Sequence, residues 1–317
     1  MDSAFLDYGS VDRGDLEPCA LQAVLPGIRL YEASDSRQIL ARTASAEVIC
    51  TNKALISREV MQGASRLRLI ALAATGSNNV DLEAARERGI AVCNTRHYCT
   101  ASLAQHVWAL VLALTHHLRE YALLTSGGAW ARAAHFTMLD HPVRELGGRN
   151  LGIVGAGELG SAVARIGEAF GMRVLLANRP GGERRPGRLD LPELLKVADI
   201  ISLHCPLTDA TRGMIGAAEL ALMKPDALLI NTARGALVDT AALAAALRER
   251  RIGGAGIDVL PQEPPVDGNP LLDVSLSNLI VTPHIAWSAR EARQRCLDQV
   301  TENVQAFLAG RELRRLV

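Results

Sequence analysis

A glycine-rich turn restricts the folds open to this chain more than any other part of its sequence. The turn reads GAGELG at residues 155–160 and directly follows the apolar run LGIV at 151–154. Between a strand and a helix, such glycines permit a tight turn, close approach of a phosphate to the backbone, and close packing of the helix on the strand. The unpaired N–H groups at the start of the helix favour an anion. The segment therefore predicts a pyrophosphate site for a dinucleotide, with an ordinary strand-to-helix turn as the alternative.

Short apolar runs alternate with helical patterns from residue 151 onward. Strands are predicted at 151–154, 173–177, 200–203, 228–231, 255–259 and 279–282, and helices at 158–170, 192–197, 217–223 and 240–250. Asp239 is a suitable N-cap for the last of these helices, and Gly253-Gly254 is predicted to end it. Strands joined by crossover helices form a parallel sheet that is covered on both faces.

The first hundred residues repeat this alternation on a smaller scale. Strands are predicted there at 4–6, 28–31, 48–50, 69–73 and 90–93, with a helix at 81–88. Residues 288–308 form one amphipathic helix, in which Ser288 and Glu291 have capping-box spacing. Its apolar stripe consists of Cys296, Leu297, Val300, Val304 and Phe307. Because this stripe must be buried, we expect the helix to dock on the N-terminal sheet.

The predicted fold class is α/β, with two doubly wound parallel-sheet domains. A Rossmann cofactor domain at 99–285 is inserted into a discontinuous, flavodoxin-like substrate domain at 1–98 and 286–317. The long helix beginning near Thr100 and the segment near Ile285 are expected to be the two crossings between these domains.

Composition excludes several classes of partner. Lys and Arg together number 34, as do Asp and Glu, so no charge excess indicates binding to nucleic acid or acidic lipid. The most apolar window, 103–118, contains a glutamine and three histidines, which suits a buried helix better than a membrane span. Six cysteines without a CxxC pair and an N-terminus without a signal-peptide pattern indicate a reduced, cytoplasmic protein with no membrane partner.

Three segments near the ends of predicted strands are unusually polar. They read LINTARG at 229–235, GIDVLPQEPP at 256–265 and VTPHIAW at 281–287. In an open parallel sheet the carboxyl ends of the strands form the ligand crevice. We therefore expect Arg234, Asp258, Glu263 and His284 to converge beside the reactive end of the dinucleotide.

The order of these motifs is specific to one group of proteins. GAGELG, INTARG, DVLPQEPP and TPHIAW, in this order, resemble the D-isomer-specific 2-hydroxyacid dehydrogenases. The segments ATGSNNVD at 74–81 and NTRHYCT at 94–100 look like that family's substrate-side loop and first interdomain crossing. The resemblance covers nearly the whole chain and is closest to the glycerate dehydrogenase and hydroxypyruvate reductase branch.

The resemblance implies a catalytic role for three of these side chains. Arg234 would bind the substrate's carboxylate and keto oxygen, a task that suits a planar guanidinium. His284 would donate a proton to the keto oxygen in reduction and accept one in oxidation. Glu263 would hold the imidazole and favour its protonated form. The alternatives are a surface arginine at a helix start, a solvated turn acid for Glu263 and a loop histidine.

The resemblance also implies residues for ligand binding. The predicted cofactor contacts are Gly155, Gly157, Glu158, Leu159, Gly160, Asn178, Arg179, Cys205, Pro206, Thr211, Thr232, Ala233 and Asp258, of which Asp258 alternatively serves as a structural cap. Substrate would be bound by Thr75, Gly76 and Ser77 together with Arg234, although 75–77 also fit a simple strand-to-helix turn. The remaining histidines lack metal-ligand spacing, so no metal site is predicted.

The choice of cofactor departs from the commonest pattern. NAD enzymes of this type usually carry an acid at the end of the second strand, where it bonds the ribose 2′-hydroxyl. Here the strand at 173–177 is followed by Asn178 and Arg179. A 2′-phosphate would meet no carboxylate and could pair with Arg179, so NADP is favoured over NAD.

The predicted function is that of an NAD(P)-dependent D-2-hydroxyacid dehydrogenase, an oxidoreductase that reduces a small 2-keto acid, hydroxypyruvate or glyoxylate. The alternatives are a corepressor-like protein that senses NAD(H), and a short phosphoglycerate dehydrogenase. The resemblance further implies a homodimer joined through the cofactor domain, with residues 115–146 as the exchanged arm.

Overall fold

The chain divides into two compact units, each with its own sheet. A computed structural model describes residues 1–179, 181–272 and 276–317. One unit contains Met1–Cys99 and Trp287–Val317, and the other contains Thr100–Ala286. The first unit is thus built from both ends of the chain. The substrate role of residues 1–98 and 286–317 stays a prediction. So does the cofactor role of residues 99–285.

The terminal unit contains a five-stranded, wholly parallel sheet. Its strands are β1 (Ser3–Phe5), β2 (Arg29–Leu30), β3 (Val48–Thr51), β4 (Leu69–Leu72) and β5 (Ala91–Cys93). Its helices are α1 (Cys19–Val24), α2 (Ser36–Thr43), α3 (Arg58–Gly63), α4 (Leu82–Glu87) and, from the far end of the sequence, α11 (Arg290–Leu308). The strand order β2-β1-β3-β4-β5 is the flavodoxin-like doubly wound order, which confirms the predicted class.

Helix α11 covers one face of this sheet. Cys296, Leu297, Val300 and Val304 are buried in the same cluster as β1, β3 and β4, and Phe307 packs against it, so the predicted apolar stripe is confirmed. The predicted start at Ser288 is wrong. The helix begins at Arg290 with Ala289 at the N-cap position, two residues later than the sequence pattern suggested.

The central unit contains a seven-stranded parallel sheet. Its strands are β6 (Asn150–Val154), β7 (Arg173–Ala177), β8 (Arg188–Leu189), β9 (Ile200–Leu203), β10 (Leu228–Asn231), β11 (Gly254–Ile257) and β12 (Leu279–Val281). They lie in the order β12-β11-β10-β9-β6-β7-β8. The order reverses between β6 and β9, as in the Rossmann fold, so the carboxyl ends of these two strands flank the switch point where ligands bind. All predicted strands occur within two residues of their expected bounds, whereas β8 was not predicted.

The described residues of the central unit form six α-helices. They are α5 (Thr100–Thr115), α6 (Leu118–Ser126), α7 (Glu158–Ala169), α8 (Leu191–Val197), α9 (Ala217–Leu222) and α10 (Thr240–Arg248). The Asp239 carboxylate accepts hydrogen bonds from the N–H groups of Ala241 and Ala242, each at 3.0 Å, which confirms the predicted N-cap of α10. The predicted stop is wrong, because α10 already ends at Arg248 and Gly254 begins β11. Nowhere in the described ranges does a helix have the length and apolar character needed to cross a membrane.

Candidate active site

The glycine-rich turn joins β6 to α7, and its glycines are required for different reasons. Gly155 has φ +103°, and a Cβ there would lie 2.5 Å from the backbone nitrogen of Cys205. A Cβ on Gly160 would lie 2.1 Å from the carbonyl oxygen of Gly155. Glycine is required at these two positions because the neighbouring backbone leaves no room for a Cβ.

Gly157 is different, because the space beside it is open. Among the residues that the structure describes, no heavy atom would lie within 4 Å of a Cβ there. Gly157 is the N-cap of α7, which has no side-chain cap, and the next residues, Glu158 and Leu159, form the first turn. Open space in front of uncapped helix N–H groups fits an anionic group such as a pyrophosphate.

The loop that follows β9 closes beneath this turn. Cys205 is buried against Gly155, and Thr211 fixes the loop by donating its hydroxyl to the Pro206 carbonyl at 2.8 Å. His204 lies at the same strand end, where burial lowers the pKa of its imidazole to about 4. The imidazole Nε2 is 2.8 Å from the hydroxyl of Ser202, so this histidine is a neutral, hydrogen-bonded part of the fold.

The end of β7 carries the residues predicted to select the cofactor. The Asn178 side chain donates to Asp190 at 2.9 Å and accepts from the backbone N–H of Arg185 at 3.0 Å. The second carboxylate oxygen of Asp190 is paired with Arg184. Arg179 follows Asn178 and is exposed. The nearby carboxylate of Asp190 is therefore already engaged by two side chains of this loop.

A histidine and a glutamate form the chemical centre of the unit. Nδ1 of His284 lies 2.6 Å from Oε2 of Glu263, and Oε1 of Glu263 accepts the backbone N–H of Leu260 at 2.8 Å. A carboxylate only accepts hydrogen bonds, so Nδ1 carries the proton of the shared bond and Nε2 is the ring nitrogen turned to other partners. Both side chains are partly exposed. The pair can thus hold or release a proton at Nε2.

Asp258 holds the backbone around His284. Its side chain is 0% exposed. The carboxylate accepts from the Thr282 hydroxyl at 2.5 Å and from the N–H groups of Ile285 and Ala286, each at 2.9 Å. These bonds give Asp258 the structural role that the sequence left open. The predicted contact of this residue with the nicotinamide stays a prediction.

Arg234 lies on the loop after β10. Buried Asn231 shapes this loop by accepting from the Ala233 N–H at 3.0 Å and donating to the Arg234 carbonyl at 2.9 Å. The guanidinium donates to the Ala233 carbonyl at 2.7 Å. A Cβ on Gly235 would lie 2.0 Å from the carbonyl carbon of Leu260, so the loop of Arg234 touches the loop of Glu263.

Thr232 follows β10 directly, and its buried hydroxyl has no hydrogen-bond partner within the described part of the chain. An unpaired buried hydroxyl is costly unless a ligand or water completes it. Its position at the carboxyl edge of the sheet fits the predicted cofactor contact.

A cavity of about 420 Å³ adjoins the histidine–glutamate pair. Glu263, His284 and Thr282 contribute its polar lining, and Leu260, Val281 and three prolines contribute apolar walls. Its size is within the range of small-molecule sites. In the described ranges no group of three or more His, Cys, Asp or Glu side chains is arranged to hold a metal ion.

The predicted substrate loop belongs to the terminal unit. Thr75, Gly76 and Ser77 follow β4, and the Asn94 side chain donates to the Thr75 carbonyl at 2.8 Å. The Val80 N–H donates to the Ser77 carbonyl at 3.0 Å, so both ends of the loop are fixed. Binding of substrate by this loop stays a prediction.

Sequence reasoning missed two residues of the central unit's site. Thr282 bonds Asp258, and His106 on α5 lies 3.0 Å from the Thr282 hydroxyl. His106 is one of the histidines in the apolar window 103–118, and nothing in its neighbourhood in the sequence indicates a contact with the motif at 281–287. The sequence signal for Thr282 is its place at the start of the TPHIAW motif, two residues before His284.

Comparison with known proteins identifies the family of the chain. Residues 108–286, more than half of the chain, match the NAD-binding domain of D-isomer-specific 2-hydroxyacid dehydrogenases. The chain belongs to this family. It is 45% identical over 282 residues to a glycerate dehydrogenase of Methylorubrum extorquens, covering 89% of each chain. It is 36% identical over 311 residues to a hydroxypyruvate reductase of Blautia hydrogenotrophica, covering 96% of each. These relatives confirm the predicted resemblance and make the chain a member of an oxidoreductase family.

Solved structures agree with the fold. The TT0316 protein of Thermus thermophilus matches over 100% of both chains, with a TM-score of 0.89 and 38% identity. A D-lactate dehydrogenase of Aquifex aeolicus, complexed with NAD and lactic acid, covers 98% of this chain and 96% of its own, with a TM-score of 0.82 and 30% identity. An acyclic imino acid reductase (Bsp5) in complex with NADPH matches over 100% of both chains, with a TM-score of 0.85 and 28% identity.

Proposed function

We propose that this chain reduces a small 2-keto acid, hydroxypyruvate or glyoxylate, to the corresponding 2-hydroxy acid, of D configuration where the new centre is chiral. The observation that carries the proposal is the 2.6 Å bond between His284 and Glu263. The two residues follow β12 and β11, in the same sheet whose β6 leads into the glycine-rich turn. A proton donor and a dinucleotide cradle at the ends of parallel strands are the parts that such a reduction needs.

The proposed chemistry assigns one task to each side chain. The imidazolium of His284 gives its Nε2 proton to the keto oxygen, and Glu263 accepts the Nδ1–H throughout and stabilises the positive ring. Arg234 binds the substrate carboxylate and polarises the keto group. The nicotinamide, when bound, supplies the hydride. In the oxidation direction His284 takes the hydroxyl proton back.

Replacement of the histidine tests this assignment. We expect His284→Gln to lower the kcat of keto-acid reduction by about 100-fold or more, because a general acid is lost. Cofactor affinity, measured by fluorescence titration, is expected to stay near that of the wild type. Near-wild-type turnover of the variant would overturn the assignment of proton transfer to His284.

A substrate panel separates this function from its alternatives. Hydroxypyruvate, glyoxylate, pyruvate and phosphohydroxypyruvate are offered with NADPH and with NADH. We expect oxidation of the cofactor only when a keto acid is present, with the first two substrates preferred. Cofactor binding without turnover of any keto acid would favour a corepressor-like sensor. Preference for phosphohydroxypyruvate would favour a short phosphoglycerate dehydrogenase.

We further propose that NADPH is the preferred cofactor. Arg179 is exposed directly after β7, and the nearby Asp190 is paired with Arg184, so a 2′-phosphate would meet a cation. Arg179→Glu is expected to raise the KM for NADPH about 10-fold or more and to leave the KM for NADH nearly unchanged. Arg165→Glu, at an exposed position of α7, is the control, because it makes the same charge change on a helix surface and leaves the pair between Arg184 and Asp190 intact. A wild-type enzyme with a strong preference for NADH would contradict the proposal.

We also propose that a second copy of the chain covers the segment 118–143 of the central unit. This segment exposes large apolar side chains, with Phe136 91% and Leu139 86% exposed. Apolar exposure of this extent marks an interface. We expect the wild type to be a dimer in light scattering after gel filtration, and Phe136→Glu with Leu139→Glu to weaken it. Val266→Glu, at another exposed apolar position, is the control. A monomeric wild type would contradict this proposal.

A further inference from the structure

We propose that His106 is a positioning residue of the reaction, acting through Thr282 and Asp258 on the backbone that carries His284. The inference rests on the proposed function. His106 lies on α5, far from the catalytic motifs in the sequence. Its role follows from a chain of hydrogen bonds within the central unit.

The first links join the helix to the buried carboxylate. Nε2 of His106 is 3.0 Å from the Thr282 hydroxyl oxygen and 3.5 Å from Oδ1 of Asp258. The Thr282 hydroxyl is 2.5 Å from the same Oδ1. The side chain of His106 is 17% exposed and that of Asp258 is 0% exposed. Such sheltered polar groups depend strongly on their partners, because water does not replace a lost bond.

Counting protons fixes the direction of each bond. A carboxylate only accepts, so the single hydroxyl proton of Thr282 is donated to Asp258. The hydroxyl oxygen must therefore accept in its contact with His106, and Nε2 of His106 must carry a hydrogen. His106 thereby holds the hydroxyl in the one orientation that serves Asp258. An apolar side chain at 106 would free the hydroxyl to rotate and would remove a donor next to a buried anion.

The next links reach the catalytic histidine. The Asp258 carboxylate accepts the N–H groups of Ile285 and Ala286, and its backbone carbonyl accepts the N–H of His284 at 2.8 Å. His284 itself has φ +56°, a conformation that non-glycine residues seldom adopt. Asp258 therefore holds this unusual backbone from both sides. A shift of Asp258 would move the imidazole relative to Glu263 and to the substrate.

Two variants of His106 test the role. His106→Leu removes the donor, and we expect kcat to fall about 10-fold or more with the KM for the keto acid changed less than about threefold, because misplacement acts on the proton-transfer step. His106→Gln can place an amide N–H near the position of Nε2 and is expected to recover most of the turnover. His116→Leu, on the exposed surface just after α5, is the control.

Thr282→Val interrupts the same series of hydrogen bonds without a substitution in α5. It is expected to lower kcat by a similar factor, and combining it with His106→Leu should add little further loss, because the two residues act in series. In the cofactor-free protein, ¹⁵N-histidine NMR should show a slowly exchanging Nε2–H for His106 that is lost in His106→Leu and exchanges rapidly in Thr282→Val.

The outcomes separate this inference from the proposed function. A wild-type enzyme without keto-acid reduction overturns the function itself. An active wild type together with a folded His106→Leu of unchanged kcat overturns only the positioning role. If His106→Leu does not fold, an unchanged kcat for Thr282→Val overturns it instead, as does a wild-type NMR spectrum in which Nε2 of His106 carries no hydrogen.

Discussion

Oε2 of Glu263 lies 2.6 Å from Nδ1 of His284, while Oε1 of the same carboxylate accepts the backbone N–H of Leu260. The second bond fixes the plane of the carboxylate, so Glu263 is aimed at the imidazole before any ligand binds. Preorganised charge of this kind needs no rearrangement when positive charge is held on the ring. Because Nδ1 of His284 is bound to Glu263, Nε2 is the ring nitrogen that faces a reacting group.

Glu263→Gln tests the charge in this pair. We expect kcat for keto-acid reduction to fall by roughly 10- to 100-fold, because an amide keeps the shape of the side chain but does not stabilise an imidazolium as an anion does. Steady-state kinetics at neutral pH measure the change. Asp267→Asn, which removes an acid from an exposed position of the same loop, should leave kcat unchanged. A fully active Glu263→Gln enzyme would mean that the charge is dispensable.

Gly157→Ala tests the pyrophosphate cradle without disturbing the fold. Gly157 has φ −80°, which alanine adopts freely, and a Cβ there meets no heavy atom of the described residues within 4 Å. We therefore expect the melting temperature to stay within about 2 °C of the wild type. The KM for the dinucleotide should rise about 10-fold or more, because the methyl group occupies the space proposed for the phosphates. Unchanged affinity for both cofactors would place the pyrophosphate elsewhere.

Sequence patterns predicted the sheets well and the element ends less well. Apolar runs such as 200–203 and 228–231 are buried strands with the expected bounds, because burial on both faces of a parallel sheet leaves a continuous apolar signal. Strand β8 has only two residues and no such run. The start of α11 is set by tertiary contacts. Arg293 bonds Asp15, 278 residues away, and also the Ser288 carbonyl, a pattern that local spacing does not reveal.

The candidate site was predictable where it depends on motifs and unpredictable where it depends on contacts between them. Ordered motifs and strand ends indicated Glu263 and His284, which the structure brings into hydrogen-bond contact. Neither the φ of +56° at His284 nor the bond from His106 to Thr282 has a local signature. Both arise because separate loops and a helix meet only after the sheet has formed.

Gly235→Ala tests the contact between two of these loops. An added Cβ would lie 2.0 Å from the carbonyl carbon of Leu260, so the loop of Arg234 and the loop of Glu263 would have to separate. We expect a loss of about 2 kcal/mol or more in the free energy of unfolding, and a lower kcat in whatever protein folds. Denaturant unfolding and kinetics measure the two effects. Gly63→Ala is the control, because its Cβ would enter open space at the end of α3. Wild-type stability of Gly235→Ala would show that the loops can part without cost.

His204 makes the stability of the fold sensitive to mild acid. Burial lowers the pKa of its imidazole from an ordinary value of 6.5 to about 4. Between these values the unfolded chain binds a proton that the folded chain does not, so this contribution is complete above pH 6.5 and declines as the pH falls toward 4. It amounts to no more than about 3 kcal/mol.

His204→Asn removes this proton uptake and is expected to flatten the pH dependence of unfolding over that window. Urea denaturation at several values between about pH 7 and pH 4 measures the slope, which for one proton approaches about 1.4 kcal/mol per pH unit. His116→Asn, at an exposed position outside the segment 118–143, is expected to keep the wild-type slope. The contrary result is that His204→Asn and the wild type lose stability in parallel from pH 6.5 to pH 4. It would mean that His204 is protonated as readily in the folded chain as in the unfolded chain, and that the acid sensitivity has another source.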